Sequence, residues 1–334
     1  MNGGCAIVAP LNWGLGHAAR CIPLIRALEE AGSPVVLASD GSALDLLRAA
    51  FPHLPSYELP SYGIRYRSPS MVRNILACTP NFPRVIRAER RAIRKLATRY
   101  GASCIFSDNR PGCYHHHLRS IYITHQLNVP TPQPWLSPIA TALHRWLMRP
   151  FHDIWVPDHA SEPSLAGGLS HPQHFDSRIR YIGTLSRFIP PGPADQYSLA
   201  WDCAVLISGP EPERARWEKQ VFSQLARVKG KHIVVRGKPG QGDTQLRECA
   251  PHIFLANHLP DAALREVLLT SRTIVSRSGY SSLMDYEQLG ISAVLVPTPG
   301  QPEQQYLAEL MAQRGRHRVL SPDTMDLHAL LQGF

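Results

Sequence analysis

The sequence holds no apolar run near the ~18 residues that a membrane-spanning helix needs. Its start lacks a basic segment followed by a long apolar stretch, so no secretory leader is expected and the cytoplasm is the expected compartment. The seven cysteines, at 5, 21, 78, 104, 113, 203 and 249, contain no C-x-x-C pair. An odd, scattered set of this kind argues against a disulfide framework or a zinc knuckle and reads as packed thiols. Charge is sparse: 18% of residues are Asp, Glu, Lys or Arg, below the usual ~25%, while 44% are hydrophobic. That balance excludes a disordered chain. The 30 prolines stand singly or in pairs at loop ends with no Gly-X-Y period, so a collagen-like chain is excluded as well.

What is present is enough for two domains: 334 residues at ~150 residues each. The net charge is +9, and much of it is local. Arg84 to Arg99 holds seven basic residues against one acid, Glu89. Such a segment attracts phosphates, in nucleic acid, lipid headgroups or phosphorylated substrates. It has no interleaved aromatics and no reading motif accompanies it, so a nucleic-acid partner is not expected. The alternative is a solvated helix face on which Glu89 pairs locally. The His115-His116-His117 run has metal-binding residue types, but a lone triplet in a loop is more often solvated, and no metal site is expected.

Strand and helix alternate along the chain. Cys5–Ala9 reads as a strand, 10–16 as a loop, and 17–31 as a helix with Ile22, Ile25 and Leu28 near helical spacing and Gly32 as its stop. Val35–Ala38 is the next strand and Ala43–Ala50 the next helix; residues 51–83, rich in Pro, Tyr and Ser, read as a long loop. Arg84–Tyr100 follows as a basic amphipathic helix, then strands at Ser103–Ser107, Ile121–Thr124 and Ile154–Val156. The prolines and glycine of 188–195 mark a joint. A second alternation follows it. Its strands are expected at Ala204–Ile207, Ile233–Val235, Ile253–Leu255, Thr273–Val275 and Ala293–Val296, and its helices at Pro212–Arg227, Asp261–Thr270, Tyr280–Leu289 and Gln301–Arg314. The pattern predicts two doubly wound parallel-sheet domains facing a cleft: residues 1–186, a linker over 187–200, and residues 201–334.

In open parallel sheets, ligands bind where strands end and helices begin. At Val275-Ser-Arg-Ser-Gly-Tyr-Ser-Ser282, a strand runs out, Ser278 and Gly279 turn the chain, and Tyr280 opens a helix. Free N–H groups there, with the Ser281 and Ser282 hydroxyls, suit a pyrophosphate. Asp285 falls one turn on, on the same face, where a carboxylate can accept from ribose hydroxyls; the bland alternative is a cap and a surface charge. At Leu11-Asn-Trp-Gly-Leu-Gly-His17, Gly14, Gly16 and His17 open the first helix. This is not the full G-x-G-x-x-G fingerprint, and Asp40 is the only acidic candidate for a ribose partner, so a dinucleotide is not favoured. His17 has the position of a general base. Glu303, Gln304 and Gln305 stand at a helix start with side chains suited to sugar hydroxyls. Asp108, Asn109, Arg110, His125 and Gln126 end strands in the first domain and make up an acceptor side.

The run Arg277-Ser-Gly279 with Asp285 and Gly290, then Val296-Pro297 and Gln304-Gln-Tyr306, resembles the donor domain of glycosyltransferase family 28 in residue type and order. Ile182-Gly183 with Arg187 resembles that family's interdomain region, and Gly14, Gly16 and His17 resemble its Gly-rich acceptor loop. The likeness spans residues 5–20 and 180–315. One member of the family moves N-acetylglucosamine from UDP to a lipid-linked peptidoglycan precursor. The resemblance implies a GT-B fold and an inverting, metal-independent hexosyl transfer. By the same resemblance, Ser278, Gly279 and Tyr280 hold the diphosphate, Asp285 the ribose, and Gln304 and Gln305 the donor sugar, with His258 and Leu259 beside the uracil and Gly209 near the diphosphate. The chain departs from the family at Ser208-Gly-Pro-Glu-Pro-Glu213 and on the acceptor side, which implies a different acceptor.

The expected function is therefore transfer of a hexose or N-acetylhexosamine from a nucleotide-diphosphate sugar, UDP foremost, with the acceptor open and a lipid-linked one among the candidates. Peripheral contact with the anionic inner face of the cell membrane through Arg84–Arg99 is part of that expectation. No cofactor is expected: the sequence has no Asp-x-Asp. The alternatives are a UDP-sugar epimerase and a non-catalytic nucleotide-sugar binding protein. His125 and Asp108 are the rivals of His17 as base.

Overall fold

The computed structural model describes residues 4–63, 81–172, 176–193, 195–209, 211–239 and 245–332. The chain divides into two compact units, Met1–Leu185 and Ser186–Phe334.

In the first unit, β1 (Cys5–Pro10) leads to α1 (Gly16–Glu30), β2 (Val35–Ser39), α2 (Gly41–Ala50) and β3 (Ser56–Glu58). Then come α3 (Phe82–Tyr100), β4 (Ala102–Asp108), β5 (Arg119–Ile123), α4 (Ser137–Met148), β6 (Asp153–Val156) and β7 (Ile179–Tyr181). The sheet runs β3-β2-β1-β4-β5-β6-β7, parallel throughout. Every residue of β1 is buried, and alternate residues serve opposite faces as a strand's period of two requires. Ala6 and Val8 pack under Ile22 and Ile25 of α1 and Leu47 of α2. Ile7 and Ala9 pack under Ile93 and Leu96 of α3.

The second unit repeats the plan. It contains β8 (Trp201–Leu206), α5 (Glu213–Leu225), β9 (His232–Val235), β10 (Arg247–Ala250), β11 (Ile253–Ala256), α6 (Asp261–Leu269) and β12 (Ser271–Ser276). α7 (Tyr280–Leu289), β13 (Val294–Leu295), α8 (Pro302–Gln313), β14 (Arg318–Val319) and α9 (Leu327–Gln332) complete it. The order is β10-β11-β9-β8-β12-β13-β14, with only β10 antiparallel to its neighbour among the described pairs. Trp217 and Val221 of α5 seal one face against Val205, Val234 and Val275.

The expected parallel, doubly wound class holds in both units. The expected loop over 51–83 is corrected in part: Ser56–Glu58 is a strand whose Tyr57 pairs with Ala38, and α3 starts at Phe82. Residues 64–80, with Cys78, lie outside the described residues. The alternative of a solvated face on which Glu89 pairs locally does not hold for Glu89. Ile93 and Leu96 lie four and seven residues on, so Glu89 shares their inward face and is fully buried.

Candidate active site

In both sheets the strand order reverses beside the central strand, and that crevice is where an open α/β sheet binds ligands. In the first unit the reversal lies between β1 and β4, with Pro10 level with Asp108. The loop after β1 brings in His17, the second residue of α1. Gly14 in that loop has φ +86°, a left-handed conformation that favours glycine. Asn12 fastens the loop: its Oδ1 accepts from the Ser42 hydroxyl and the Ala43 N–H, and its Nδ2 donates to Asp40.

His17 Nδ1 lies 2.7 Å from Oδ1 of Asp108. The Arg20 guanidinium, one turn along α1, donates from Nε and from a terminal nitrogen to the two oxygens of the same carboxylate. Asp108 is fully buried. Burial alone pushes its carboxyl up, but Arg20 and His17 outweigh that and hold it at about 2. Nδ1 also lies 2.8 Å from a terminal nitrogen of Arg20, which can only donate. In the tautomer that satisfies the ionised carboxylate, which only accepts, His17 carries its proton on Nδ1 and donates it to Asp108. The Nε2 lone pair is then the basic position of the ring, and the His17 side chain is 16% exposed. Arg20 NH1 also donates to Nδ1 of buried His125, 3.1 Å away. His17, Arg20, Asp108 and His125 thus form one connected group, with the Asp108 carboxylate behind the His17 ring.

Asn109 follows Asp108 with φ +55°, and Arg110 then turns inward and is fully buried. Its Nε donates to Glu89 at 2.7 Å, NH1 to Asp40 at 2.9 Å, and NH2 to the carbonyl of Pro60 at 2.7 Å. Glu89 also accepts from the Tyr62 hydroxyl and the Gly112 N–H. Burial pushes the Glu89 carboxyl up while Arg110 pulls it down. Arg110 therefore spends its donors on its own chain, and it ties the ends of β1, β2 and β4 together. Asp40, the candidate dinucleotide partner, is consumed by the same cluster. Gln126 is half-buried, its N–H bonded to Thr124 Oγ1.

In the second unit the reversal lies between β8 and β12. Gly209, just after β8, has φ +103°, and Arg277 to Gly279 follow β12. Arg277 is buried and lies 4.1 Å over the Trp217 ring. It donates to the carbonyls of Val296 and Pro297, and burial lowers it to about 10. It pins β12 to β13 and leaves the turn at Ser278 and Gly279 fixed. The Ser278 hydroxyl donates to the Gln304 carbonyl, and the Gln304 amide oxygen accepts from the N–H of Thr298. Tyr280 is buried, Ser281 and Glu303 are half-buried, and Gln305 is exposed. Thr298 Oγ1 is buried without a hydrogen-bond partner among the described residues. It lies 3.9 Å from where a Cβ on Gly209 would stand, so it belongs to the same strand-end crevice.

Asp285 is not a surface charge. It is buried, accepts from the Ser186 hydroxyl at 2.6 Å, and lies 3.7 Å from Arg187 Nε. Burial raises its carboxyl to about 6, against the pull of Arg187 and Ser186. Arg187 also pairs with Asp261 at 3.4 Å. Burial and Arg187 push the His258 ring down, which places His258 in the same corner, with buried Leu259 next in the chain.

Arg20, Ser186, Asp261 and Thr298 were not among the expected site residues. Arg20 had a signal: it stands one turn from His17 on the face of α1 that carries the core. Among the described residues, no group of three or more His, Cys, Asp or Glu forms a metal cluster, and no helix is long and apolar enough to cross a membrane.

Two seven-stranded units, each with its crevice beside the central strand, define the GT-B glycosyltransferase fold. No family model matches the sequence. A protein of Methanopyrus kandleri, named an uncharacterized glycosyltransferase, is 23% identical over 323 residues, covering 90% of this chain and 87% of its own length. The glycotransferase of kitacinnamycin superposes with a TM-score of 0.66 at 17% identity, over 100% of this chain and 90% of that one. The Streptomyces sp. SF2575 glycosyltransferase SsfS6, complexed with thymidine diphosphate, gives 0.61 at 14% identity, over 98% and 89%. MurG of Acinetobacter baumannii, a family 28 member, gives 0.53 at 13% identity, over 98% and 89%.

Proposed function

We propose that the protein is an inverting glycosyltransferase that moves a hexosyl group from a nucleotide-diphosphate sugar to an acceptor hydroxyl. The observation that carries this reading is the His17–Asp108 pair at the switch point of the first sheet, with Nε2 as the basic atom. His17 Nε2 takes the proton of the acceptor hydroxyl as its oxygen attacks the anomeric carbon. The bond from that carbon to the phosphate oxygen breaks on the opposite side, and the nucleoside diphosphate leaves with the electron pair. Asp108 holds the ring in the right tautomer and stabilises the imidazolium that forms. Asp108 is thereby a positioning residue and not the rival base. His125, whose Nδ1 accepts from Arg20, is placed behind the same pair.

The second unit is proposed to hold the donor. Backbone N–H groups at the start of α7 and the Thr298 hydroxyl suit the diphosphate, whose negative charge a helix N-terminus favours without a metal ion. Asp285 is the ribose partner, with Gln304 and Gln305 at the sugar and His258 and Leu259 beside the base. UDP is the proposed nucleotide, and thymidine diphosphate its first competitor. A lipid-linked acceptor, and contact of the Arg84–Arg99 helix with an anionic membrane face, complete the reading.

The first test is a thermal-shift screen of nucleoside diphosphates and their sugars, since a ligand of the native state raises its stability by mass action. The second is His17→Ala with the donor and acceptor so found. A general base contributes roughly 10²–10⁴-fold, so kcat falls by that amount with donor affinity unchanged. A fall under tenfold removes His17 from the base role. An epimerase or a non-catalytic binder instead gives no acceptor-dependent turnover.

A further inference from the structure

Arg87, Arg90, Arg91 and Arg94 line a shallow cavity of about 170 Å³ on the outer side of α3. Their spacing of three, four and seven residues gathers them on one side of the helix. The acid of that helix, Glu89, faces the other way and is bonded to Arg110, Tyr62 and Gly112. Among the described residues no carboxylate pairs with Arg87, Arg91 or Arg94. Like charges at these spacings repel, so the face carries a positive charge that nothing described within the chain neutralises.

The loop from β4 to β5 meets this helix through Arg90. Arg90 donates to His116 Nε2 and lies 4.7 Å over the Tyr114 ring, which fixes its guanidinium at the cavity edge. Burial pushes His115 and His116 down, and His117, Arg90 and Arg94 beside them add to it. A guanidinium is a planar fork that matches phosphate oxygens two at a time. From Arg87 to Arg94 the helix rises about 10 Å, longer than one phosphate needs.

We propose that Arg87, Arg90, Arg91 and Arg94 form a discrete binding site for a phosphate or diphosphate group, distinct from the sites that bind donor and base. The proposal deepens the membrane contact suggested above by naming its chemistry, and it does not depend on the transfer reading. The source of the phosphate is either a lipid headgroup or a soluble anion, and the two are separable.

The test compares the full chain with an R87Q/R91Q/R94Q variant, all three positions being exposed. Titration with inorganic pyrophosphate is expected to give affinity at least tenfold weaker in the variant, with circular dichroism and melting unchanged. Sedimentation is then run with phosphatidylcholine vesicles carrying phosphatidic acid, or phosphatidylserine at equal surface charge. Preference for phosphatidic acid, lost in the variant, identifies a lipid headgroup. Pyrophosphate binding lost in the variant, without that preference, identifies a soluble phosphate. Pyrophosphate that binds both proteins alike, or neither, with the two vesicle types bound equally, overturns the site and leaves only diffuse attraction. Nucleoside diphosphate binding is expected to be the same in both proteins, so this failure is distinct from failure of the donor assignment.

Discussion

Asp108→Asn separates the two jobs given to the buried carboxylate. In the native protein Asp108 is held at about 2 instead of 3.8, a gap worth roughly 2–3 kcal/mol of stability. The folded value lies below the unfolded one, so this stability is fully present above about pH 4 and is lost as pH falls toward 2. The amide cannot be ionised, so the buried Arg20 guanidinium loses the Asp108 charge; breaking a buried pair this way costs about 3–5 kcal/mol. For a unit of this size that lowers the melting temperature by about 10 °C. The acid-unfolding curve of the variant also loses its component between pH 4 and 2. The chemical effect is separate. The amide can donate its own N–H to Nδ1 of His17, which moves the ring proton to Nε2 and removes the base. The expected loss in kcat is roughly 10²–10⁴-fold, measured at a temperature where the variant is folded. A folded variant that keeps kcat within tenfold of the native protein refutes the tautomer argument, whatever its melting temperature.

Asp285→Ala is expected to weaken donor binding by about 1.5–3 kcal/mol in titration calorimetry and to leave the fold intact. The folded Asp285 carboxyl is raised to about 6, so its contribution to stability is full below about pH 4 and lost as pH rises through 6, while the ionised form that accepts ribose hydroxyls grows in. Donor affinity should therefore rise between pH 5 and 7, and Asp285→Asn should flatten that rise. Turnover should survive EDTA; complete loss restored by Mg²⁺ or Mn²⁺ would show the helix-start account of the diphosphate to be wrong. Arg110→Met strands Glu89 and Asp40 in the interior and should cost about 3–5 kcal/mol in denaturant unfolding, whereas adding Glu89→Gln should recover part of that loss.

The central strands were legible because they are short apolar runs bounded by loops, and a parallel sheet buries both faces of such runs. β3, β7 and β14 have two or three residues each, too short for any periodicity to show. α4 was missed although Ile139, Leu143 and Trp146 stand at helical spacing; the structure leaves that stripe exposed. In the site, His17 could be read from its place after two glycines. Asp108 and His125 could be read as strand-end candidates, but their joining to His17 through Arg20 could not: it exists only once the sheet order puts β1 beside β4. Glu89 was left open for the same reason in reverse. Its spacing from Ile93 and Leu96 pointed inward, but a carboxylate among seven basic residues suggested solvent.

His17 and Asp108 are 91 positions apart in the chain, and β1 meets β4 only after α1, β2, α2, β3 and α3 have been made. During synthesis the first hundred residues can build β1, α1 and β2 from near neighbours, yet the Asp108 carboxylate that receives Arg20 has not been made. A guanidinium in that position cannot be taken out of water cheaply, so the nascent layer stays wet and loosely closed until β4 arrives. Arrival of Asp108 closes the sheet and sets the histidine proton in one event. A chain cut off before β4 is therefore expected to leave the first layer unfinished and His17 without Asp108, and to be held by chaperones.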